Sequence, residues 1–100
     1  GNGTYSLGAT SADVGASATL YAGTLATSTS AAALAASQAV HEVLIQNDPD
    51  NTVDILVGNA SAQPIQIKPG QSITIPVSNL ATVFVKSVSG TPTANYLGRS

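Results

Sequence analysis

The side chains best placed to do chemistry gather in one stretch, "QNDPDNTVD", where Asn47, Asp48, Asp50, Asn51 and Asp54 fall close together. Three carboxylates and two amides offer enough oxygen for a calcium ion, but the spacing lacks the glycine and the distal bidentate glutamate of an EF-hand loop. Asp-Pro-Asp-Asn is equally the chemistry of a tight turn. Pro49 presets φ, Asp48 accepts from nearby backbone N–H groups, and Asn51 tolerates positive φ. We read the stretch as the turn of a hairpin, with Asp54 inside the following strand and facing away from Val53, Ile55 and Val57. No metal centre is assigned, and any cation binding at Asp48 and Asp50 is expected to be weak or to occur at a subunit contact.

Catalytic arrangements fare no better. His41 is the single histidine, Glu42 beside it points to the opposite face of a strand, and no serine lies in a "GxSxG" setting. "KPGQ" carries one glycine rather than a phosphate-cradling series, and reads as a hairpin turn led by Lys68. The triplets "NGT" at 2–4 and "NAS" at 59–61 fit a glycosylation sequon but arise readily by chance in a chain rich in Asn, Ser and Thr. Tyr5, Tyr21, Phe84 and Tyr96 are too dispersed for a sugar-stacking platform, and Phe84 and Tyr96 suit core or interface filling. The expectation is therefore a protein that is not an enzyme, with no catalytic residue and no cofactor.

The elements that would position these residues are strands. From residue 39 onward apolar residues alternate with a period of two: Val43 and Ile45; Val53, Ile55 and Val57; Ile65 and Ile67; Ile73, Ile75 and Val77; Val83 and Val85. Turn-forming clusters "NDPDN", "NASAQP", "KPGQ", "SNLA" and "SGTP" separate them at intervals of roughly eight to twelve residues, as in sandwiches and barrels. Six strands are expected, over 41–47, 53–58, 64–68, 72–77, 82–88 and 93–97. Pro64 and Pro76 fall at strand ends, where a missing N–H removes no ladder bond.

Residues 1–39 are of another kind. Small residues dominate, and Leu7, Val14, Leu20, Tyr21, Leu25 and Leu34 are the only sizeable anchors besides Tyr5. Such a segment loses much backbone entropy on ordering and gains little burial, so it reads as an extended arm with irregular first strands. "SATLYAGTLAT" is its best strand. "SAAALAASQAVHE" could form a short helix capped by Ser30, but no apolar stripe repeats through it. The fold class expected is all-β: one domain, an antiparallel, jelly-roll-like β-sandwich of seven or eight strands, its core in 40–100 and its small-residue arm in 1–39.

Composition narrows the function further. The 100-residue chain is 8% charged with a net charge of −2, against roughly a quarter charged in ordinary soluble domains. Weak charge repulsion favours a native state whose faces are covered by copies of itself or by a partner. All five acidic residues precede position 55 and all three basic residues follow it, too sparse a set for a phosphate backbone, so nucleic-acid binding is not expected. With no cysteine, disulfides, thiolate nucleophiles and cysteine zinc sites are excluded. The longest apolar run, "AAALAA", is far too short to span a bilayer, no basic stretch precedes it as in a signal peptide, and Tyr5 stands where a myristoylation signal wants Ser or Thr. No membrane partner is expected.

The run from "HEVLIQN" through "VG", "KPGQS" and "VFVKSVSGTPTANYLG" resembles small structural proteins of tailed bacteriophages over roughly residues 40–98. That resemblance implies a virion β-sandwich, and by size a capsid decoration or cement protein: a homotrimer on the capsid surface that clamps neighbouring copies of the major capsid protein. A head-to-tail or tail component and a host-glycan binding module are the alternatives.

Overall fold

The computed structural model describes residues 19–100. Among these residues eight strands form: β1 (Leu20–Ala26), β2 (Ala32–Ala33), β3 (Glu42–Asn47), β4 (Ile55–Gly58), β5 (Ile65–Ile67), β6 (Ser72–Pro76), β7 (Phe84–Ser87) and β8 (Thr93–Arg99). They make two four-stranded sheets, ordered β1-β8-β3-β6 and β2-β7-β4-β5. Antiparallel ladders couple β1 with β8, β2 with β7, β3 with β6 and β4 with β5, the pairing of one long ribbon. Two more ladders, β3 with β8 and β4 with β7, form where that ribbon rolls over on itself. The result is the all-β fold of two antiparallel sheets expected from the sequence.

Alternation sorts the residues between core and surface. Val43 and Ile45 on β3, Ile55 and Val57 on β4, Ile67 on β5, Val85 on β7 and Ala94 on β8 point inward and are buried together. Each large member contributes roughly 1.5–3 kcal/mol of transfer free energy. Leu34, Val40, Leu80 and Val83 complete the cluster. Leu34 comes from the alanine-rich stretch and is only 1% exposed. That stretch is not a helix: Ala32–Ala33 pair with β7 and the chain then bends. The competing interactions come from Asn79, whose Oδ1 accepts from Gln38 N at 3.1 Å and from Ala81 N at 2.9 Å, tying the segment to a 3-10 turn at Leu80–Thr82.

Two expected hairpins are corrected. β3 and β4 lie in different sheets, as do β5 and β6, so "NDPDN" and "KPGQ" are turns at corners where the chain crosses from one sheet to the other. Local turn chemistry is right in both. Gln71 N donates to Lys68 O at 2.9 Å across Pro69-Gly70, with Gly70 at φ 83 as a type II turn requires. Only "NASAQP" joins neighbours in one sheet, β4 to β5. Strand limits also move. The strand expected over 53–58 begins at Ile55, and the one expected over 82–88 begins at Phe84, after the 3-10 turn that Asn79 caps. The one expected over 93–97 runs on to Arg99, held by its ladders to β1 and β3. Within the 1–39 segment, β1 and β2 are strands of the two sheets; residues 1–18, with Tyr5, Leu7, Asp13, Val14 and the 2–4 sequon, lie outside the described residues.

Candidate functional site

Asn47 ends β3 with its side chain turned inward, fully buried. Its Nδ2 donates to Ile67 O at 2.9 Å and to Val53 O at 3.0 Å, so one amide ties the β3 sheet to the backbone of β5 in the other sheet. Its Oδ1 accepts from Asn51 Nδ2 at 2.5 Å. Asn51 in turn grips Thr93 at the start of β8, donating to its carbonyl at 2.7 Å and accepting from its N–H at 3.2 Å. A buried polar network is stabilising only when all its members are partnered, and both amides here are.

The Asp48 carboxylate is engaged beside this latch. Asp48 Oδ1 accepts from Asp50 N at 2.9 Å, Asp48 Oδ2 accepts from Asn95 Nδ2 at 3.2 Å, and Asn51 N donates to Asp48 O at 2.9 Å to close the turn. Asp54 lies just before β4 rather than within it and accepts from Gln66 Nε2. Among the described residues no group of three or more His, Asp and Glu side chains converges. The acidic, asparagine-rich centre is thus a structural corner that locks the sheets together.

The other candidates are scattered. His41 is exposed, and its backbone accepts from Val77 N at 3.1 Å and donates to Arg99 O at 2.6 Å. Glu42 is turned to Arg99, whose Nε lies 3.1 Å from its Oε2. That ion pair begins β3, at the opposite end from Asn47. Lys68 leads into the β5–β6 corner and is exposed. Asn59 Oδ1 accepts from Ser61 N at 2.8 Å and Ala62 N at 2.9 Å, which makes the "NAS" triplet an Asx turn in the β4–β5 hairpin. Tyr96 packs against the core from β8, its ring lying over Gly23 of the paired strand β1.

Shallow recesses open among the described residues, and two of them lie near these side chains. One, 280 Å³, is lined by Asp50, Asn51, Ser89, Thr91 and Pro92 beside the latch. The other, 460 Å³, lies where the sheets part, between Tyr21, Tyr96 and Leu80 and the alanine-rich turn at Ala35–Gln38. The first holds one carboxylate, Asp50, among the hydroxyls of Ser89 and Thr91, and neither recess holds a histidine. Sequence reasoning missed Leu44 and Leu97, which project outward from β3 and β8 and are 38% and 40% exposed. The available signal was their parity: each is apolar at a position where alternation calls for a polar residue.

At this corner the buried amide of Asn47, with Asn51, is spent on holding the two sheets of a charge-poor fold together. The family model of the endospore appendages matches residues 10–99, and the chain belongs to that family. No curated protein and no solved structure matches it. The family is one of structural appendage proteins rather than of enzymes, and its setting is extracellular, at the spore surface. What the phage resemblance implied in coarse terms, a β-rich structural protein on an exterior surface, therefore stands; nothing in the comparisons points to a phage capsid.

Proposed function

We propose that this chain is a repeating subunit of a fibrous appendage on the endospore surface and that its principal partner is another copy of itself. The observation that carries the reading is the family match, which spans the whole described sandwich up to Arg99. Two physical features support it. Among the described residues the outer strands β1, β6, β2 and β5 each leave one edge without a ladder partner, and β2 is only two residues long. Open edges are templates for another chain, and a repeating assembly covers them. The low charge also permits close approach between copies. Assembly of this kind uses backbone hydrogen bonds and apolar contact, and needs neither cofactor nor metal.

Cementing of a major capsid protein, the partner implied by the phage resemblance, has only the strand pattern behind it. The homotrimer implied with it would be a closed assembly, whereas an appendage requires contacts that do not close. Electron microscopy of the purified full-length chain separates these. Filaments of constant width support the appendage subunit; a uniform closed trimer or a monomer at every concentration overturns it.

A further inference from the structure

We infer that the outer face of the β1-β8-β3-β6 sheet is a self-complementary surface that packs against the same face of a second copy. The inference deepens the appendage reading by naming a contact between copies, and rests on it for the many repeats such a contact needs.

The central ladder of this sheet aligns Arg99 with Glu42, Leu97 with Leu44 and Asn95 with Gln46. These six side chains project away from the core, because their neighbours Val43, Ile45, Ala94 and Gly98 are buried inward. A two-fold axis parallel to the strands, running between β8 and β3 in the plane of the contact, sets each residue of β8 opposite its ladder partner on the other copy. Arg99 then meets a Glu42, Leu97 meets a Leu44, and Asn95 meets a Gln46: charge on opposite charge, leucine on leucine, amide on amide. The same operation sets the outer residues of β1 against those of β6, and places Leu20, which is 61% exposed, over Pro76. An isologous contact demands such agreement in every row.

The side chains are free to serve it. Arg99 and Glu42 keep 40% and 42% of their surface exposed while paired within the chain, so each can also reach a partner. Sheets packed face to face lie about 10 Å apart, within reach of leucines from both sides. The area is small: four strands over some six residues give about 400 Å² per copy, below the roughly 1,000 Å² in total that a stable isolated pair needs. The contact is therefore weak singly and becomes effective when many copies repeat it along aligned filaments.

The test uses the full chain, with self-association read by sedimentation over a wide concentration range and filament pairing read by electron microscopy. The double change Leu44→Thr with Leu97→Thr should weaken association by about tenfold or more and abolish side-by-side filament contact, with the thermal melt little changed; Leu44→Thr alone is the milder variant if the double change fails to fold. Glu42→Arg alone and Arg99→Glu alone should each weaken association, and an equimolar mixture of the two should restore it, since opposite charges then meet only between copies. A mixture no better than its components, or leucine variants that associate like the native chain, overturns the inference. So does an effect of the leucine changes that disappears when residues 1–18 are deleted, which assigns the face to that segment. Failure of the native chain to form filaments at all instead overturns the appendage reading, while the sedimentation arm still decides the face.

Discussion

Asn51 hands one amide proton to Asn47 at 2.5 Å and the other to Thr93 O at 2.7 Å, and through this pair three strands from two sheets are fixed at one corner. The carbonyls of Ile67 and Val53 take the protons of Asn47 itself. In a chain with few large side chains, a corner held by oriented amides supplies the specificity that apolar packing supplies elsewhere. It also explains an asparagine in the inward-facing series of β3.

Asn47→Ala should therefore be among the most damaging single changes outside the apolar core. It leaves two carbonyls and the Asn51 amide without their partner in a buried setting, a loss of about 2–4 kcal/mol. Asn51→Ala should lose less, about 1–2 kcal/mol, because Asn51 is half-buried and water can replace part of what it gives. Urea unfolding of both single variants and the double variant checks the coupling: the double variant should fall clearly short of the sum.

Two glycines should respond differently to the same methyl group. A Cβ on Gly58 would sit 2.0 Å from Ala62 O and 2.7 Å from Gln63 Cα, so the backbone of the β4–β5 hairpin would have to open. A Cβ on Gly23 would sit 2.5 Å from the Tyr96 hydroxyl and 2.7 Å from its Cζ, and the ring can turn aside. Gly58→Ala is expected to destabilise by about 3 kcal/mol or more and Gly23→Ala by about 1–2 kcal/mol. In a Tyr96→Leu background the Gly23→Ala penalty should shrink while that of Gly58→Ala persists, as thermal melts of the glycine variants in both backgrounds, against each background alone, would reveal.

The strands were legible because β-branched residues at period two leave few alternatives, as in Val43 and Ile45 or Ile73 and Ile75. Their partners were not. A turn such as Lys68-Pro69-Gly70-Gln71 has the same local chemistry whether the chain returns beside itself or crosses to the other sheet, and the choice is made by long-range packing of β6 on β3. The alanine-rich segment was ambiguous for a related reason: its conformation is set by Asn79, far away in sequence, and by the burial of Leu34. The "NDPDN" stretch was correctly readable as a turn, but that Asn47 spans two sheets could not be seen without knowing that Ile67 lies across from it.

Changing Asp48 and Asp50 together to Asn should leave the fold largely intact. The Asp48 contribution is an Asx-type acceptor for Asp50 N at 2.9 Å and for Asn95 Nδ2 at 3.2 Å, and an asparagine oxygen can accept in the first of these places. We expect a loss of at most about 1 kcal/mol, with calcium and chelator leaving the melting temperature of native and variant chains unchanged. A large calcium-dependent shift in the native protein would show that the corner binds the ion.

The last prediction concerns the small-residue segment at the start of the chain. β1 forms a seven-residue ladder with β8, and Leu25 and Tyr21 pack against the core, so a deletion of residues 1–30 removes an edge of the sandwich and confounds folding with assembly. A cut after residue 18 separates them. Thr19 N already donates to Ser100 Oγ at 2.9 Å and Ser100 N to Thr19 O at 3.0 Å, so the ladder is closed at its end without anything further upstream. If residues 1–18 act as an arm between copies, the shortened chain should melt within about 1 kcal/mol of the full one, because no described core contact is lost, and should assemble far less well. Equal assembly by the shortened chain would remove the arm from the mechanism and leave the sheet edges and faces as the contacts between copies; a collapse of the melt would mean that the segment belongs to the fold itself.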